Sequence, residues 1–137
     1  MKALTVKQPW ADMLVSGRKD VEIRTWKTRH RGPILIHSSK KSCPHGLNLF
    51  GNKDYPLGCI VGVMEVIGCV DYNTFKDFAE DKDVHLNPIN WYTGKEKGIV
   101  LKQVLKLLNP IPYKGQLGVW NCPLTMKQIQ ENEVRYK

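Results

Sequence analysis

The sequence predicts one α+β domain, residues 1–137, in which short helices flank a curved sheet or small β-barrel. Three observations carry that expectation. Strand-type alternation outnumbers helical spacing along the chain, and the longest apolar run, Cys59 to Val70, is rich in Val and Ile. A chain of 137 residues is long enough for one hydrophobic core and too short for two. No repeat or linker composition divides it.

Lys2 to Val6 suits a short strand. Pro9 is expected at the first position of a helix, where its missing N–H costs nothing. Trp10, Met13 and Leu14 follow at i, i+3, i+4 and share one face as core residues, and Gly17 stops the helix. From Asp20 to Trp26 the chain alternates. Val21 and Ile23 fall on one side, and Asp20, Glu22, Arg24 and Trp26 on the other. That second face, with an acid, a cation and an aromatic in register, is not what a purely structural strand requires.

Thr28 to Pro33 forms a basic turn, and Ile34 to Ser38 resumes as a strand with Leu35 and His37 opposite Ile34 and Ile36. Residues 39–57 have loop composition, with Pro44, Gly46, Gly51 and Pro56. Gly58 to Asp71 is the strongest strand signal, with Gly62 and Gly68 marking bulges or close approaches. Thr74 caps a short acidic helix, Phe75 to Asp81, which turns Phe75 and Phe78 inward. Residues 83–97 look irregular around Pro88 and Gly94. Gly98 to Leu108 fits either a helix, by the spacing of Val100, Val104, Leu107 and Leu108, or a strand, by its β-branched start and the Pro110-Ile111-Pro112 exit. Leu117 to Asn121 is a short strand and Thr125 to Arg135 a terminal helix.

Lys and Arg number 21 against 13 Asp and Glu, a formal charge of +8 that favours polyanionic partners. Cys43, Cys59, Cys69 and Cys122 form no CxxC pair and no signal-peptide pattern precedes them, so reduced thiols and a cytoplasmic location are expected. Glycines and Glu65 break the longest apolar stretch, so no membrane span is expected. Cys43 and His45 could ligate zinc, but no second pair follows at zinc-site spacing; neither a metal nor an organic cofactor is called for.

The order Pro9-Trp10-Ala11, Gly17-Arg18-Lys19, Glu22-Ile23-Arg24, Trp26, Arg31-Gly32 and Ile36-His37-Ser38 resembles the ASCH domain (activating signal cointegrator homology). Pro110-Ile111-Pro112-Tyr113-Lys114-Gly115, followed by Leu117-Gly118-Val119-Trp120, is similar to that family's closing segment. The resemblance covers residues 3–122 and implies a PUA-like β-barrel with a cleft for RNA or a nucleic-acid-derived ligand.

The residues themselves suit such a cleft. Lys7, Arg18, Lys19, Arg24, Lys27, Arg29, His30, Arg31, Lys40 and Lys41 are interleaved with Trp26. Cations with a stacking surface are the usual means of holding single-stranded nucleic acid. RNA is the expected partner, with single-stranded DNA or a nucleotide-like ligand as alternatives. Lys7, Lys19 and Lys114 are expected to contact the anion, and Glu22 and Arg24 to order the wall. On that view Glu22→Ala weakens binding and leaves stability nearly unchanged.

Lys19, Glu22 and Glu65 are the catalytic candidates. The resemblance extends to bacterial amidohydrolases acting on acetylated cytidine, in which a lysine after Gly-Arg works with a threonine three residues on and a distant glutamate. Here Glu22 stands at the threonine's position, and a carboxylate beside Lys19 favours an ion pair over a neutral base. Ribonucleolytic cleavage, also associated with the family, would use Lys19 or Arg24 for phosphorane charge and Glu22 or His37 for protons. A lone His37 fits a structural strand histidine better. Glu65, within an apolar strand, either lines the cleft or pairs with a buried cation such as Arg24. A protein-interaction adaptor is the third class, because no base-reading module is visible.

Overall fold

The computed structural model describes residues 1–134. The elements, in order, are β1 (Lys2–Val6), α1 (Trp10–Val15), β2 (Val21–Arg24), β3 (Gly32–Ser38), α2 (Pro44–Phe50) and β4 (Cys59–Asp71). They continue with α3 (Phe75–Glu80), α4 (Lys82–His85), a 3-10 turn (Ile89–Trp91), β5 (Lys97–Pro112), β6 (Val119–Asn121) and α5 (Met126–Val134). Arg135, the expected last residue of the terminal helix, lies outside the described residues.

The strands form one six-stranded mixed sheet in the order β2-β5-β4-β3-β1-β6. It curls into a half-barrel of the PUA-like type. β1 runs parallel to β3, with Leu4 opposite Ile36, and every other pairing is antiparallel. Curvature comes from irregularities in the long central pair. The β4–β5 register shifts between Ile60 and Gly62, between Val63 and Met64, and between Val66 and Gly68. Both glycines marked in the sequence therefore fall at bulges.

Strand alternation divides the core in two. Leu4, Ile34, Ile36, Met64 and Val66 pack with α1 on one side of the sheet. Ala3, Leu35, Val63, Trp120 and Ile129 pack on the other, beneath α5. A third small cluster joins Val21, Tyr72 and Phe78.

Four local expectations need correction. Pro9 is the N-cap of α1 rather than its first helical residue. The stretch expected as loop from 39 to 57 holds α2, which starts with Pro44. Tertiary packing makes that helix: Phe50 meets the Trp10 ring edge-on at 5.6 Å. Gly46 approaches so closely that a Cβ there would sit 2.7 Å from Pro9 Cδ. Phe75 is 51% exposed, while Phe78 alone is buried against Tyr72 and His85. Residues 83–97 contain the end of α4 and the 3-10 turn.

The ambiguous segment after Gly98 is strand, because β2 and β4 flank its first residues and satisfy their backbone. β2 covers only Lys97 to Val100, Leu101 N–H donates to Asp20 O, and among the described residues no strand pairs with the remainder of β5 on that side, which tolerates Pro110 and Pro112. Thr74 caps α3 as expected, its hydroxyl accepting from Asp77 N–H at 3.1 Å.

Candidate functional site: a two-compartment basic cleft

β2 brings its polar face to one end of the half-barrel because Val21 is drawn into the cluster with Tyr72 and Phe78. Glu22 and Arg24 then share the opposite face, and Thr25 is exposed. The Glu22 carboxylate accepts from Arg24 Nε at 3.0 Å, and Arg24 Nη2 lies 2.9 Å from the same oxygen. Arg24 Nη2 also donates to Thr5 O at 2.7 Å, and the guanidinium lies 5.7 Å from the Trp26 ring centre. The fork is thus fixed before any ligand arrives.

Lys19 stands behind Glu22. Gly17 ends α1, and the chain turns Lys19 beneath Trp10, with its ammonium 5.0 Å from the indole ring. The side chain is 0% exposed. Nζ donates to His85 O and, at 3.1 Å, to Asn87 Oδ1, and lies 3.8 Å from Glu22 Oε1. Burial holds its pKa down to about 8; Glu22 opposes the shift and Arg24 adds to it.

The two acceptors flank Leu86, whose φ of 62° places a residue bearing a β-carbon in the left-handed region. Lys19 clamps that turn from both sides. Asn87 N–H donates to His85 Nδ1, so His85 Nε2 carries the proton donated to Phe78 O. Burial keeps that imidazole below its ordinary range and neutral.

The expected anion contact at Lys19 is therefore corrected. The side chain is sequestered, with hydrogen bonds to His85 O and Asn87 Oδ1 and the Glu22 carboxylate 3.8 Å away. The stability expectation for Glu22 changes with it. Glu22 is the carboxylate shared by a buried and a largely buried cation, so its loss leaves like charges together in the interior.

Thr5, Lys7, Trp10, Glu22 and Arg24 surround a cavity of about 240 Å³, closed by Leu117 and Gly118. Thr5, Ser39 and Leu117 are shared with a second cavity of about 360 Å³, edged by Lys40, Lys41 and Lys114. The two form one cleft with unlike halves. His37 lines the second half and is only 2% exposed. Trp120 Nε1–H donates to Thr5 Oγ1 at 3.0 Å, and Thr5 Oγ1 lies 3.4 Å from His37 Nδ1. His37 Nε2 bonds Tyr113 O at 2.7 Å. These bonds fasten β1, β3 and the segment before β6 together, the structural role favoured for this histidine. Gly115 passes so close to the His37 ring that any β-carbon there would collide with it.

Of the candidate contacts, Lys7, Arg24, Lys40 and Lys114 line the cleft together with Glu22. Trp26 stands at its margin beside Arg24 and Gly118. Lys27 pairs with Asp71 at 3.3 Å instead, and Arg31 donates to Thr28 O and His30 O within its own turn. Arg18 and Arg29 are exposed and do not line the cleft. Glu65 is the clear correction. It pairs in register with Pro33 and Lys102 on the face of β4 turned away from Met64 and Val66, and Arg24 has Glu22 as its carboxylate. Trp10, expected in the core, is also a cleft wall; Thr5, Ser39 and Leu117 carry no signal of a site in the sequence.

Among the described residues no helix is long and apolar enough to cross a membrane. A family model described as the ASCH domain matches residues 4–112. The human protein called Activating signal cointegrator 1 is 30% identical over 91% of this chain, and its mouse counterpart 28% over the same share. The chain spans only 23% of the length of each of these relatives. Among solved structures, the ASCH protein of Zymomonas mobilis superimposes with a TM-score of 0.68 at 14% identity, covering 95% of this chain and 91% of that one. A serine-to-alanine mutant of that bacterial protein superimposes at 0.64 with 15% identity, over 95% and 92% of the two chains. These likenesses establish the shared fold.

Proposed function

We propose that this chain, which belongs to the ASCH domain family, binds single-stranded RNA through the two-compartment cleft. The observation that carries the reading is the convergence on one concavity of four lysines that have no carboxylate partner among the described residues. Lys27, Lys76, Lys97 and Lys106 are each matched by a carboxylate, at Asp71, Glu80, Asp71 and Asp12. Among the described residues no carboxylate pairs with Lys7, Lys40, Lys41 or Lys114, the lysines that edge the cleft. Unmatched ammonium groups converging on a concavity create a local positive potential suited to phosphates. The inner half adds Trp10, the Glu22 carboxylate and the Arg24 fork. A base edge carries both donors and acceptors, and that pair of charged side chains offers one of each.

The test is a titration of labelled single-stranded RNA followed by fluorescence anisotropy at several salt concentrations. Affinity is expected to fall steeply between about 50 and 200 mM salt, with a log–log slope of about −0.7 for each phosphate neutralised. Failure to bind at the lower salt, or binding indifferent to salt, contradicts the proposal.

Chemistry on acetylated cytidine receives less support. A base at Lys19 would have to lose a proton and reach the substrate, yet its ammonium is turned to His85 O, Asn87 Oδ1 and Glu22. N4-acetylcytidine is expected to survive prolonged incubation with the protein, as followed by chromatography of released cytidine. Turnover abolished by Lys19→Ala would overturn that expectation.

A further inference from the structure

Leu117 is 96% exposed, far beyond the other exposed leucines: Leu49 at 56%, Leu57 at 47% and Leu108 at 57%. Single exposed leucines on a surface are ordinary. This one is held in place. Its segment is fastened on one side by the bond between His37 Nε2 and Tyr113 O, and by the close passage of Gly115 over the His37 ring. On the other side Thr5 N–H donates to Gly118 O at 3.3 Å. Between those fastenings the leucine borders both compartments and stands next to Gly118, where Trp26 approaches. With the chain fastened on both sides, the side chain is presented to solvent at the border between the two compartments.

We propose that Leu117 is a wedge that separates one base of a bound single strand from its neighbour, so that a single unstacked nucleotide enters the compartment of Trp10, Glu22 and Arg24 while the adjoining phosphates run along Lys40, Lys41 and Lys114. This inference rests on the nucleic-acid reading of the cleft. The inner cavity of about 240 Å³ lies below the range of roughly 300–1,000 Å³ usual for drug-sized ligands, which suits one ring system. Apolar side chains inserted between base steps are an established means of holding a strand open, and a single strand offers the least resistance. The leucine's apolar surface, in water in the free protein, becomes covered only when a base packs on it. Leu117 contributes no charge, so its effect is separable from that of the lysines.

The experiment uses a short single-stranded RNA carrying one 2-aminopurine, whose fluorescence rises when the base is unstacked. Wild-type protein is expected to bind it with a rise in fluorescence. Leu117→Ser removes an exposed side chain, and an unchanged thermal melt verifies that the fold is retained. It is expected to bind about 10-fold more weakly, as the loss of one buried leucine contact implies. It should also lose most of the fluorescence rise while keeping the salt slope, and Leu117→Met should restore both. If wild type binds and Leu117→Ser matches it in affinity and fluorescence, the wedge is overturned and the cleft reading stands. That outcome would leave the leucine to a protein contact. If wild type does not bind at all, both fall.

Discussion

Glu22→Ala is expected to lower stability by about 3 kcal/mol at neutral pH, read as a fall in the midpoint of urea unfolding. The magnitude follows from removing one partner of a buried ion pair, which leaves an uncompensated charge in the interior. In this protein two cations lose the same carboxylate, Lys19 at 0% exposure and Arg24 at 22%. An exposed pair would be worth only about 0–1 kcal/mol, so the measurement separates the two cases.

The pH dependence gives the prediction a second arm. Burial depresses the folded pKa of Lys19 from 10.5 to about 8, so between those values the unfolded chain binds more protons and stability gains with rising pH from this group. Glu22 is the contribution that holds that pKa up, so the variant's lysine loses its proton at lower pH still. The folded variant then binds fewer protons than folded wild type near pH 7. The penalty of Glu22→Ala should therefore shrink between about pH 6.5 and pH 9. Above about pH 10 Tyr72 adds an opposite trend, because burial raises its pKa above the ordinary value, and the comparison should stop short of it. A penalty below about 1 kcal/mol, or one that is flat with pH, would contradict the buried arrangement.

The second large effect concerns affinity. Replacing Lys40, Lys41 and Lys114 together with alanine should weaken single-stranded RNA binding about 100-fold near 100 mM salt. It should also reduce the salt slope by about 2, near 0.7 for each of the three phosphates no longer neutralised. All three lysines are ion-paired with nothing among the described residues and lie at the cleft edge, so the melting temperature should stay put. Replacing Arg29 and Arg31 instead should cost little affinity, because they lie outside the cleft. If the arginine pair matters more than the lysines, the site is misplaced.

Sequence patterns with a strict period are the most readable. Alternation from Val21 to Arg24 puts Glu22 and Arg24 on one face, and the structure joins them at 3.0 Å. The apolar run after Gly58 is β4, and the family resemblance locates the half-barrel. What escapes is decided by distant parts of the chain. Lys19 looks like a surface cation in the sequence because its acceptors, at His85 and Asn87, lie more than sixty residues away. Glu65 looks like a site residue because a carboxylate amid apolar residues is unusual; it stands where burial on both faces of β4 gives way, after Met64, and its face is no longer covered. α2 is hidden because proline and glycine composition marks a loop, while its stability comes from packing on Pro9 and Trp10. Leu117 and Ser39 have no local signature, since they matter only through the two cavities they join.

The most direct test of the cleft as the RNA-binding surface is a titration of isotopically labelled protein with single-stranded RNA, followed by amide and indole resonances in NMR spectra. The largest shifts are expected at Thr5, Lys7, Ser39, Lys40, Gly115, Leu117 and Gly118, together with the Trp26 indole, all at the two compartments or their margin. Saturable shifts confined instead to the groove lined by Asp12, Tyr55, Lys106 and Leu108 across α1 and β5 would contradict the account.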